Sequence, residues 1–138
     1  QYPEHYDYQI ELAGVQVAAG RTADAKQILD NLPPEHRDAA KARGVRARIE
    51  FGEEALSQAD IDALGERDDS EAQYQRAMRQ IADGQDEAGL EALLAVMKRD
   101  RAYGEDAARK TLLRVFDALG AEHPLTVTYR RRLFAMLY

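Results

Sequence analysis

Three histidines (His5, His36, His123) and adjacent acidic pairs such as Glu53–Glu54, Asp68–Asp69 and Glu105–Asp106 are the residues best suited to chemistry. An imidazole could serve as a base or a metal ligand, and paired carboxylates could share acid–base work. Their spacing argues otherwise. No His lies three or four residues from another, so no helical pair of metal ligands exists. Neighbouring carboxylates on a helix point about 100° apart. These pairs also fall at helix ends or turns, where acidic groups favour the helix dipole. Cysteine is absent, which removes disulfides, thiolate zinc sites and thiol redox chemistry from this segment. No Ser-centred nucleophile motif, phosphate loop or dinucleotide fingerprint occurs. The expectation is a non-enzyme that holds neither metal nor cofactor.

The elements that would position any surface are helices. The 138 residues suffice for one domain or one short helical array, and 45% of them are hydrophobic. Ala, Leu, Glu, Arg and Gln, all good helix formers, dominate. No apolar run approaches the ~20 residues that span a bilayer. No secretory signal is visible, and the missing cysteines fit a cytoplasmic protein. Because the chain starts at Gln1 rather than Met, a fragment of a longer protein is expected. The net charge of −6 is unevenly spread: residues 1–97 carry ten Lys and Arg against twenty Asp and Glu, residues 98–138 nine against five. An acidic body with a basic end argues against nucleic-acid binding.

Apolar residues recur three and four apart almost everywhere. Tyr8, Leu12, Val15 and Ala19 share a face, Gly20 ends that helix and Thr22 is placed to cap the next. Ala25, Ile28, Leu29 and Leu32 follow, stopped by Pro33 and Pro34. A third helix carries Ala42, Val45 and Ile49, and a short one with a Ser57 cap runs to Leu64. Ser70 is a cap candidate for a helix burying Tyr74, Ala77, Met78 and Ile81. After a turn at Gly84 come Leu90, Leu93, Leu94 and Met97. Arg101 to Gly104 reads as a loop. Ala108, Leu112, Val115, Phe116 and Leu119 mark a helix closed by Gly120. His123 and Pro124 open the last helix, whose main stripe is Leu125, Tyr129, Leu133, Met136 and Leu137.

Internal repetition is the informative feature. Ala18 to Leu29 reads AAGRTADAKQIL and Ala82 to Leu93 reads ADGQDEAGLEAL. In each, a turn glycine (Gly20, Gly84) precedes a small residue by five positions (Ala25, Gly89). An alanine (Ala13, Ala77) lies seven positions before each glycine. Two antiparallel helices approach closely only where both carry small side chains, and the turn between them needs a positive φ. This is the small-residue spacing of the tetratricopeptide repeat, a helix–turn–helix unit of about 34 residues. The predicted fold is all-α: a single domain over 1–138, built as a TPR-like right-handed array of about seven to eight helices in antiparallel pairs. Repeats are recognisable near 6–34 and 70–100, and a C-terminal helix pair occupies 105–138.

On the last helix Val127, Arg131, Phe134 and Tyr138 occupy a second side. The outer face of a terminal helix should be polar. Either this helix is buried on both sides, or it presents apolar surface to a partner.

The same residues carry a family resemblance. Arg109-Lys110-Thr111 leads to Ala118-Leu119-Gly120, then Pro124-Leu125-Thr126, then a tail from Tyr129 through three arginines to Leu137 and Tyr138. This order resembles the C-terminal domain of the chaperedoxins (the YbbN or CnoX group), thioredoxin-like co-chaperones of bacteria. GRTADAKQILDNLP (20–33) and GQDEAGLEALLAVMKRD (84–100) resemble that family's repeats. The likeness is weakest over 35–69. The resemblance implies a thioredoxin-like domain upstream of Gln1. It implies a holdase that binds unfolded client proteins and delivers them to the chaperonin GroEL and to DnaK. It also implies chaperonin docking through the last helix, with Tyr129, Arg130, Arg131, Phe134, Leu137 and Tyr138 as contacts. The alternative is a structural or dimerisation domain with no independent partner.

Overall fold

In a computed structural model, which describes residues 3–137, the chain is helical throughout its regular structure. Among the described residues nine helices follow one another: α1 (Pro3–Ala18), α2 (Thr22–Asp30), α3 (Pro34–Arg37), α4 (Ala40–Glu54), α5 (Gln58–Ala63), α6 (Ser70–Ala82), α7 (Asp86–Arg99), α8 (Ala107–Leu119) and α9 (Pro124–Leu137). The count exceeds expectation because the third helix is split. Ala39 adopts an extended conformation (ψ 150°) between the four-residue α3 and the start of α4.

Two helical hairpins, α1–α2 and α6–α7, are built alike. Gly20 and Gly84 close α1 and α6 with φ of +82° and +83°. In each turn the glycine N–H donates to the carbonyl three residues back, Val17 or Ile81. The next N–H donates five back, from Arg21 to Gln16 and from Gln85 to Gln80. This pair of hydrogen bonds satisfies two of the carbonyls orphaned at the helix end, and only glycine takes the left-handed φ cheaply. Ala13, Ala25 and Ala77 are fully buried, and Gly89 is buried against α6. A methyl on Gly89 would lie 2.7 Å from Ile81 Cγ1.

Two core clusters result, and they meet on α4. Ala42 and Ile49 join Ile10, Ala13, Ala25, Leu29 and Leu32. Phe51 enters a larger cluster formed by α6, α7, α8 and α9. In a simple stack each pair touches only its neighbours. Here α4 packs on α1, α6 and α8 together. The six-residue α5 that follows it packs on α6, and α8 lies against α4 instead. The contact is tight: a methyl on Gly44 would sit 2.7 Å from the Ala118 carbonyl oxygen.

Several local expectations need correction. Thr22 and Ser70 are the first residues of α2 and α6, not caps; the flanking positions are Arg21 and Asp69. The Ser70 hydroxyl instead donates to Asp100 at 3.0 Å. Ser57 does cap α5, accepting from the Asp60 N–H at 3.1 Å. The stripe Tyr8, Leu12 and Val15 faces outward, and α1 buries Ile10 and Ala13 instead.

Candidate functional site

Helix α9 has two faces of different character. Pro124 opens it, and the Leu125 N–H donates to His123 Nδ1 at 3.1 Å. On the inner face Thr126 and Leu133 are fully buried, and Met136 and Leu137 pack partly against the main core. Tyr129 is only 5% exposed. Its hydroxyl donates to Glu91 Oε2 on α7 at 2.8 Å, and the Arg132 guanidinium grips the same carboxylate at 2.5 and 2.9 Å. Those two donors, Arg132 first, pull the Glu91 carboxyl down to about 2. Burial, then the Glu91 contact, raises the Tyr129 phenol. Arg132 also lies over the Tyr129 ring at 5.0 Å, and Arg130 over Phe116 of α8 at 5.7 Å. At the far end Arg101 donates to the Met136 carbonyl at 2.8 Å.

The outer face is apolar and charged. Val127 is 47% and Phe134 48% exposed, with exposed Arg131 between them. Of the six residues expected to meet a partner, Arg131 and Phe134 therefore stand on the surface. Tyr129 is a correction: its ring belongs to the core because α9 rests on α7 through it. Arg130 covers Phe116, and Leu137 is partly buried. Tyr138 lies outside the described residues, as does the side chain of His5. Of the other histidines, His36 stacks on Tyr6 with ring centroids 4.4 Å apart.

A concave surface away from α9 was not legible from periodicity. A groove of about 740 Å³ lies between the two hairpins. Small residues, among them Gly14, Ala18, Ala23, Gly52 and Ala82, keep it open. Its cations are already paired: Lys26 with Glu53 at 2.9 Å, Arg79 with Asp83 at 2.7 Å, and Arg48 with Asp86 at 2.7 Å. Arg48 also donates to the Ile81 carbonyl at 2.7 Å, tying α4 to the α6–α7 turn. Acidic pairs are absorbed in the same way, Glu54 by Arg114 and Asp69 by Arg67. The Arg67 guanidinium holds the Asp69 carboxyl near 2. Among the described residues no three His, Cys, Asp or Glu side chains converge on a possible metal position. No described helix is long and apolar enough to cross a membrane.

Matched hairpins joined by identical glycine turns define the repeat, and two tetratricopeptide repeat family models match the chain, over residues 52–138 and 1–49. The chain belongs to the tetratricopeptide repeat family. As a TPR protein it is a protein–protein interaction module: helix pairs stacked to present surfaces to other chains. It is similar to an uncharacterized protein of Haemophilus influenzae, with 26% identity over 136 residues. That alignment takes in 96% of this chain and 62% of the relative, so the chain spans less than two thirds of the relative's length.

Proposed function

We propose that this TPR chain is the interaction module of a chaperedoxin-like co-chaperone in the cytoplasm, a holdase that binds unfolded clients and docks on the chaperonin GroEL. It works by binding, with no catalysis of its own. The observation that carries the docking assignment is the outer face of α9, where Val127 and Phe134 flank Arg131 while the inner face anchors the helix in the core. An anchored helix loses little conformational freedom on docking, so its exposed apolar groups can contribute to affinity. The resemblance of the tail supports the chaperonin as the partner and DnaK as a recipient of clients. The groove between the hairpins has the shape and the mixed lining to take extended client segments. The thioredoxin-like domain of this reading lies outside the chain, as do its contributions to client protection.

Titration of purified GroEL with the full chain and with the Val127→Asp/Phe134→Asp variant tests the assignment. Both side chains are surface groups, so the variant should retain its helical signal and melting temperature. Binding should weaken roughly tenfold or more, as for central interface residues. Unchanged affinity would mean that α9 serves the fold alone, which is the competing structural reading.

A further inference from the structure

Two exposed apolar stripes sit on different helices, and their charges are opposite. On α1, Tyr8 is 65%, Leu12 37% and Val15 64% exposed, and exposed Glu11 lies among them. On α9, Val127 and Phe134 flank Arg131. Among the described residues neither Glu11 nor Arg131 has an ion-pair partner. α1 rests on α2 and α4, and α9 on α7 and α8, and each stripe lies on the more exposed side of its helix.

The geometry points to a second copy of this chain as the occupant: the α1 stripe of one molecule covers the α9 stripe of the next, head to tail. The register supports it. If the two helices lie antiparallel with Tyr8 over Phe134, then Val15 falls over Val127 and Glu11 falls opposite Arg131. Both stripes span eight residues, about two turns. The broader charge agrees, because the acidic excess lies in residues 1–97 and the basic excess in 98–138. Two turns of helix bury little area, so the association is weak and open-ended, a heterologous contact that does not close on itself. It extends the stacking of helices that already builds the monomer, and it does not depend on the chaperonin reading.

Sedimentation velocity from roughly 10 µM to 1 mM, a range suited to weak association, tests this directly. The weight-average sedimentation coefficient should rise with concentration and fall again in about 0.5 M salt. Val15→Glu blocks the head and Val127→Glu blocks the tail, and each variant alone should stay monomeric. Mixed one to one, they retain one good face of each kind and should form a dimer and nothing larger. Glu11→Arg and Arg131→Glu should each weaken association, and combining them in one chain should restore it. A chain that stays monomeric at the highest concentration overturns the proposal. So do blocked variants that still self-associate alone, which would indicate a symmetric contact. Val15 is remote from the α9 surface, so Val15→Glu leaves chaperonin binding intact and keeps the two readings separable.

Discussion

Gly44 of α4 meets the backbone of Ala118 in α8 so closely that a single added methyl would sit 2.7 Å from the Ala118 carbonyl oxygen. A backbone oxygen in a packed helix cannot swing aside as a side-chain tip can. Gly44→Ala should therefore destabilise the chain by about 1–3 kcal/mol, despite alanine's better helix propensity. Gly52 in the same helix has no atom within 4 Å of such a methyl. Gly52→Ala should stabilise by roughly 0.5–1 kcal/mol. Denaturant unfolding of both variants checks the opposite signs.

This contrast shows what periodicity could and could not reveal. The glycine turns at Gly20 and Gly84 and the small residues around them were legible, because a left-handed φ and a close crossing leave local marks in sequence. The stripe of α6, α7 and α8 was legible for the same reason. The central role of α4 was not: Gly44 opposes a residue 74 positions away, and nothing local marks it. The α1 stripe misled, since Tyr8, Leu12 and Val15 keep helical spacing yet face outward. Tyr129 shows the converse limit. Helical spacing already puts Tyr129 on the main stripe of α9, but only the position of Glu91 on α7 gives its hydroxyl a partner.

Arg48 joins α4 to the second hairpin through Asp86 and the Ile81 carbonyl, with both charged groups mostly buried. Arg48→Met keeps the stem but leaves two acceptors short of a donor, and should cost about 1–3 kcal/mol. The exposed Arg46–Asp30 pair, at 3.1 Å, is the control. Arg46→Met should change stability by less than about 0.5 kcal/mol, as surface pairs do. Thermal melts of the two variants make the comparison.

The Glu91 carboxylate predicts a pH signature. Its folded value of about 2 lies below its ordinary 4.5. The stabilisation it provides is thus complete above 4.5 and is lost as the pH falls toward 2. The pair with Arg132 is about half exposed, so solvent screening keeps the effect small. Glu91→Gln should lower the melting temperature by about 2–4 °C at pH 7. Melts of the variant and the parent chain should converge near pH 2.

The chain contains no cysteine, so one introduced thiol reports one position. The most direct test places a photo-crosslinker on Val127→Cys, at one end of the proposed docking face, and on Ala59→Cys, an exposed residue of α5 outside the groove, as the control. The two labelled chains are irradiated with purified GroEL. Docking through α9 gives a crosslinked adduct from position 127 that unlabelled chain competes away, and none from position 59. Equal labelling from both positions, or none from 127 under conditions where the chains bind, would contradict it.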